Sequence, residues 1–334
     1  MAVPYYANAS LPDTNSRQAA MTMRPSSTSL LCIDSEDRYA NYSASRSAVT
    51  SPYNFSISKP ESIMNGFLTR VGVTEVSFPW MVPNVNNKTN KITVTVTIGA
   101  APAAIIPITL LNGFYTPAAL ATAIEAEIAA APSAAGLGLT LQYGGTSLNA
   151  PYFQYAVGTG NTIAFSPLPN NTPAYPFGPQ SKQLFDMLGF SLRNTVLAID
   201  GEGDYTLCQA IRYVDICSSQ LTYNQALKDT MSQTVVRDTL ARLYLNSAPG
   251  ITSTVSPGSA SFCPPGCAPT VLYRDINHPK QIQWLPNQPI PGYISFQVYD
   301  DTGDLLDLSI GLTGSYGPAS EGFDWSMTLQ ITEC

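Results

Sequence analysis

Residues 91–98 read KITVTVTI, and that stretch decides the fold class. Ile92, Val94, Val96 and Ile98 fall on one face of an extended chain, with Lys91, Thr93, Thr95 and Thr97 on the other. Alternation of this kind marks a strand with one side in a core and one in water, because successive strand side chains point to opposite faces. The texture recurs outward in both directions. Residues 67–78 are strand-like and are stopped by Pro79, after which prolines and asparagines make a long turn to Asn90. Residues 210–217 and 240–245 resume it, with Ala241, Leu243 and Leu245 opposite Arg242 and Tyr244. Near the end, Ile294, Phe296 and Val298 alternate with Tyr293, Ser295, Gln297 and Tyr299, and Trp325, Met327, Leu329 and Ile331 alternate with polar residues.

Helical signals are few. Asn112-Gly113 turns the chain, and Thr116-Pro117 supplies an N-cap followed by proline at the first helical position. Leu120, Ile124 and Ile128 then repeat every four residues on an Ala-rich helix that Pro132 ends. Short strands are expected at 139–143, 153–157 and 162–165, and a short helix over 181–188 with Gly189 as its terminator. Residues of about 92–190 thus read as a small α+β insertion. Residues 246–270 are a Ser-, Pro- and Gly-rich excursion.

With 27 Pro, 23 Gly and 18 Tyr, the composition excludes an all-helical protein. Many antiparallel strands, long loops and little helix predict a mainly β protein, a single jelly-roll antiparallel sandwich over 51–334. Residues 1–50 are rich in Ser, Asn, Ala and Thr, with one apolar cluster at Leu30, Leu31, Cys32 and Ile33. They are expected to form an extended arm that orders against a neighbour.

Only 12% of the residues are charged, about half the usual share for a soluble domain. A free monomer spreads mixed charge over its surface, so this chain is expected to have much of its surface covered by other subunits. The net charge of −7 and a total of 16 Lys and Arg argue against direct binding of nucleic acid. The first thirty residues lack the pattern of a secretory signal, and no stretch reaches the length of a membrane span, so a cytosolic origin is expected. The six cysteines, Cys32, Cys208, Cys217, Cys263, Cys267 and Cys334, are too few and too unevenly spaced for a disulfide framework.

Each candidate for chemistry has a simpler reading. Asp301-Thr302-Gly303 matches the aspartic-protease signature, in which two carboxylates share a proton. No second copy of the motif exists, so a hairpin turn between Tyr299 and Leu305 is preferred and an aspartic hydrolase at Asp301 is the remote alternative. Cys263, Cys267 and the single histidine, His278, do not make the four ligands of a closed zinc site. Cys263 and Cys267 read as a small disulfide-closed loop or as two free thiols. His278, between Asn277 and Pro279, reads as a loop residue rather than a general base. Gly158-Thr159-Gly160 lacks the rest of a dinucleotide fingerprint, and no Walker-type lysine is present. Asp34-Ser35-Glu36-Asp37-Arg38 lacks calcium-loop spacing and reads as a salt-bridged turn or a docking anchor. The sequons at Asn8, Asn41, Asn54, Asn87 and Asn170 would matter only in a secreted protein. No catalytic residue, cofactor or metal is expected.

Several short motifs together resemble one family. They are Ile33-Asp34-Ser35-Glu36-Asp37-Arg38, Ser51-Pro52-Tyr53-Asn54-Phe55, Val76-Ser77-Phe78-Pro79-Trp80 with Pro83-Asn84-Val85-Asn86, and Gly113-Phe114-Tyr115-Thr116. Further on come Leu188-Gly189-Phe190, Leu221-Thr222-Tyr223-Asn224-Gln225 with Lys228-Asp229, and Phe296-Gln297-Val298-Tyr299-Asp300-Asp301-Thr302-Gly303. The pattern resembles the penton, or vertex, capsid proteins of virophages, polinton-like viruses and large DNA viruses of algae and protists. The resemblance implies a jelly roll whose five copies close around a fivefold axis at the icosahedral vertex, beside double jelly-roll major capsid proteins and other minor capsid proteins. It implies a place in the virion, with assembly in the host cytoplasm or a viral factory. A viral surface fibre or receptor-binding sandwich is the alternative from another functional class.

Overall fold

The computed structural model describes residues 27–41, 51–58, 69–80, 83–113, 115–144, 151–206, 208–222, 227–228, 236–245, 270–274, 281–283, 292–306 and 324–333. Seventeen strands lie in these residues, all paired antiparallel. The first sheet holds β1 (Ser27–Asp34), β17 (Ser326–Glu333), β3 (Thr69–Pro79) and β14 (Thr270–Arg274) in that order, with β15 (Gln281–Gln283) sharing the β14 edge of β3. The second holds β13 (Thr239–Tyr244), β10 (Tyr213–Cys217), β16 (Tyr293–Asp300) and β2 (Asn54–Ser58).

The pairings are nested. The first strand meets the last (β1 with β17), β2 meets β16, β3 meets β14, and β10 meets β13 in the middle. A long antiparallel hairpin rolled so that alternate pairs enter opposite sheets has this order, which is the double-sheet jelly-roll arrangement. The expected mainly β antiparallel sandwich is what the chain forms.

The inward residues follow from alternation. On β16, Ile294, Phe296, Val298 and Asp300 are buried while the residues between them are more open. On β17, Trp325, Met327, Leu329 and Ile331 are all buried, Trp325 just ahead of the strand. Trp325 meets rings from both sheets: Phe55 at 5.7 Å, Phe78 at 6.0 Å and Phe296 at 6.2 Å between centroids. Its indole N–H donates to the Pro52 carbonyl at 2.7 Å, so the one polar atom of the ring is satisfied in the core.

Residues 27–41 correct the expected arm. Ser27–Asp34 is an edge strand of the sandwich, because alternation puts Leu31 and Ile33 into the core while Leu30 and Cys32 face out. The turn after it docks the segment as an anchor. The backbones of Ser35 and Trp325 bond at 2.9 Å, Ser35 Oγ donates to Asp324 at 2.7 Å, and the buried Arg38 pairs with the same carboxylate. Burial, and then the charge of Asp324, push the neighbouring Tyr53 phenol up to about 12.

Between β3 and β10 lie two small three-stranded sheets and two helices. One sheet is β5 (Ala104–Thr109), β4 (Lys91–Ile98) and β8 (Asn161–Ser166); the other is β6 (Thr140–Tyr143), β7 (Phe153–Ala156) and β9 (Asp200–Glu202). The region thus reaches β9, past the boundary near 190 expected from sequence. Helix α1 (Pro117–Ala130) starts with Thr116 Oγ1 accepting from the Ala119 N–H at 3.2 Å and buries Leu120, Ala121, Ile124 and Ile128. Helix α2 is only Leu184–Met187, shorter than 181–188, because Gln183 has become its N-cap and Ser181 binds elsewhere. Gly189 ends it at φ +71, where a Cβ would lie 2.3 Å from the Asp204 carbonyl oxygen. Two short strands, β11 (Leu227–Lys228) and β12 (Val236–Arg237), complete the set.

Replacing Trp325 with Ala removes the largest side chain of the core and is expected to cost about 3–5 kcal/mol. Urea unfolding measures this, and Trp325→Phe, which keeps a ring but loses the bond to Pro52, should fall between that variant and the native chain.

Candidate functional site

The Asp301 motif is a turn at the end of β16. Tyr299 and Leu305 form a bridge, the Gly303 N–H donates to the Asp300 carbonyl at 3.2 Å, and Gly303 takes φ +98. Asp300 organises it from inside. Its Oδ1 accepts from the Thr302 N–H at 3.0 Å, the Thr302 hydroxyl at 2.7 Å and the Asp304 N–H at 2.9 Å.

Three cations converge on this turn. Lys88 Nζ lies 2.8 Å from Asp300 Oδ2 and 2.7 Å from Asp304 Oδ2, which also accepts from Ser181 Oγ at 3.1 Å. Asp301 is fully buried, and its Oδ2 takes the Arg212 N–H at 3.3 Å, Arg212 Nε at 3.1 Å and Lys182 Nζ at 3.6 Å. A protease dyad needs a carboxyl that shares its proton with a second carboxyl and meets substrate. Asp301, itself buried, instead meets the half-exposed Arg212 guanidinium and the partly exposed Lys182 ammonium, the pairing of a structural joint. The turn fastens loop 83–90, the start of α2 and the approach to β10 onto the sandwich.

A second ionic tie lies across β10 and β13. Arg242 holds the fully buried Asp215 through Nε at 2.7 Å and Nη2 at 2.8 Å, and its guanidinium lies 4.0 Å from the centre of the Tyr213 ring. The hydrogen bond to Asp215 raises the Arg242 pKa above its already high value, against the opposing pull of burial.

Exposed apolar side chains concentrate in one stretch. Leu192 is 85% exposed, Val196 64%, Ile199 58% and Tyr205 78%. A turn of 3-10 helix at 192–195 and a bridge between Ala198 and Ile163 hold this stretch against β8. An exposed Arg193–Asp204 pair at 2.6 Å lies among these residues. A run of exposed apolar side chains, unlike a single exposed leucine, is a candidate interaction surface.

The remaining expected residues fall as follows. Cys32 is exposed, Cys208 and Cys217 are buried, and none of the three is in a disulfide. Burial pushes the Cys208 thiol up to about 12, which leaves it protonated and inert near neutrality. Cys263, Cys267, Cys334 and His278, the excursion 246–270 apart from Thr270, and Asn8 lie outside the described residues. Among the described residues no group of three or more His, Cys, Asp and Glu is placed to hold a metal, and no helix is long and apolar enough to cross a membrane.

Of the family-like motifs, Phe114, Tyr223, Asn224, Gln225 and Asp229 lie outside the described residues, and several of the others occupy joints. Asn84 exchanges two 2.8 Å bonds with the Tyr115 backbone ahead of α1. Phe190 meets Phe165 at 4.8 Å and Phe185 at 5.9 Å, and Thr222 Oγ1 donates to the Ser218 carbonyl at 2.6 Å. Sequence reasoning missed Lys88, Arg212 and the 192–199 surface. Their one signal was charged or apolar side chains in segments whose neighbours predicted loops.

No protein-family model matches the chain, and no curated protein matches it. Among solved structures, the crystal structure of the SeMet-labelled mavirus penton protein matches over 93% of this chain and 100% of its own, at 11% identity and a TM-score of 0.48.

Removing Lys88 by Lys88→Met strands two carboxylates, one of them buried, and is expected to cost about 3–5 kcal/mol. Burial lowers the Lys88 pKa, but Asp300 and Asp304 outweigh it and hold the group above the ordinary 10.5. A raised lysine contributes its stability fully below its unfolded value and loses it as pH climbs through the folded value. The gap in urea midpoint between the native chain and Lys88→Met should therefore persist at neutral pH and shrink above about pH 10.5.

Proposed function

We propose that the chain is a capsid subunit whose five copies close into the ring at an icosahedral vertex. The observation that carries this reading is the pairing of a nested eight-strand sandwich with a chain so poor in charge, at 12% of all residues. A closed ring uses a head-to-tail interface, one face of each subunit meeting a different face of the next. Permanent interfaces of that kind are large and depleted in charge. The exposed Leu192, Val196 and Ile199 supply one such face.

The resemblance of the motifs to vertex proteins supports the same reading, now with a physical role for two of the segments. Ile33–Arg38 locks the first strand to the last, and Asp300–Gly303 locks the sandwich to the region between β3 and β10. Neighbours in the shell would be double jelly-roll major capsid proteins and other minor capsid proteins, and the location would be the virion. Neither nucleic acid nor a catalytic residue enters this function.

Sedimentation of the purified chain is expected to show a species of five times the 35.8 kDa monomer at high concentration. Leu192→Asp combined with Ile199→Asp should weaken that association about 100-fold or more, the scale of two central apolar anchors lost from an interface. A chain that stays monomeric at every concentration would overturn the reading. Asp301→Asn serves as a separate check: it should lower stability and leave pepstatin-sensitive peptide cleavage at the background of the native chain.

A further inference from the structure

The outer face of the β6-β7-β9 sheet differs in chemistry from the rest of the surface. Register places Thr140, Ala156 and Asp200 in one row across the three strands, and Gln142, Gln154 and Glu202 in the next. Side chains directly opposite in such rows sit about 5 Å apart, and successive rows about 7 Å apart. The two rows, with Tyr155 and Gly201 between them, line an open depression of about 480 Å³. That is within the size range of small-molecule sites.

The polar groups here are unspent. Among the described residues, no cation pairs with Asp200 or Glu202, and the Gln142 amide bonds to no other side chain. Gln154 Nε2 donates to the Tyr152 hydroxyl at 3.0 Å, leaving its carbonyl oxygen available. That bond also brings Tyr152 onto the same face, where it meets the Tyr205 ring edge-on at 5.9 Å. The sheet beneath is stiff. Tyr155, on the inner side of β7, packs against Phe165 at 5.0 Å and Phe190 at 5.8 Å, and Gly201 leaves the space that its phenol fills.

We propose that this face binds a neutral oligosaccharide. Vicinal hydroxyls of a sugar both donate and accept, and the rows offer carboxylate acceptors beside amide groups that do both. Hydrogen bonds to a charged carboxylate are the stronger kind, and rigid support lowers the ordering cost of binding. The Tyr152–Tyr205 pair adds aromatic surface against which the apolar side of a pyranose ring can rest. A basic peptide would engage the two carboxylates first, and it is the competing occupant that the cationic probe tests. An acidic sugar would meet two carboxylates with no cation between them. This inference does not depend on the capsid reading, and its readouts are separate from oligomeric state.

Saturation-transfer NMR on the full-length protein tests it with lactose, maltotriose, mannotriose and chitotriose as neutral probes, 3′-sialyllactose as the acidic one and trilysine as the cationic one. At least one neutral saccharide is expected to receive saturation, and sialyllactose to receive less than lactose. Gln142→Ala, Glu202→Ala and Tyr205→Ala should each weaken that binding about fivefold or more, the loss of one good hydrogen bond or stacking contact. These residues lie at the surface, and unchanged thermal melting of each variant confirms the fold. Absence of transfer to every neutral probe, transfer indifferent to all three substitutions, or binding of trilysine alone would each overturn the proposal.

Discussion

The burial of Trp325 is the contact on which the sandwich depends. It sits at the start of the central strand β17, receives rings from β2, β3 and β16, and gives its N–H to the entry of β2. Two strands from the early part of the chain and two from the late part thus meet at one side chain. Nested pairing makes such a centre necessary, because the first and last strands of the sandwich gain no stability from each other until the whole roll has closed. The Asp324–Arg38 pair beside it holds the outermost strand in register with that centre.

Scarce charge and internal ties belong together. Arg38, Lys88, Lys182, Arg212 and Arg242 all pair with carboxylates that are buried or partly so, and four of those carboxylates hold segments distant in sequence. A chain with few ionisable groups that commits several of them inward has correspondingly less charge on its outer surface. What remains outside includes the apolar 192–199 stretch and the polar face of β6, β7 and β9. The two have opposite chemistry, one suited to a permanent protein contact and the other to a hydrated ligand.

Much of the fold was legible because alternation is a local signal. KITVTVTI is the strand Lys91–Ile98, the Thr116 cap and the Leu120, Ile124 and Ile128 stripe are the helix, and the Asp301 motif is the turn. The strands that escaped notice are short or weakly patterned. Ser27–Asp34 has only Leu31 and Ile33 to bury, and Asp200–Glu202 has no apolar residue at all. The pairing of each with its partner is long-range, so composition in a local window carries no trace of it. Lys88 and Asp300 likewise meet across 212 positions.

Sequence by itself determined the class of fold: strand texture, a capped helix, breaks at proline and glycine, and a low content of charge. Those properties follow from side-chain periodicity and composition, which every residue carries wherever it lies. Only tertiary structure decided the strand order, the burial of Asp301 among cations, and the gathering of Gln142, Gln154 and Glu202 into one row. These depend on register between strands, and register is settled by which apolar face finds the core and not by any property of one strand alone.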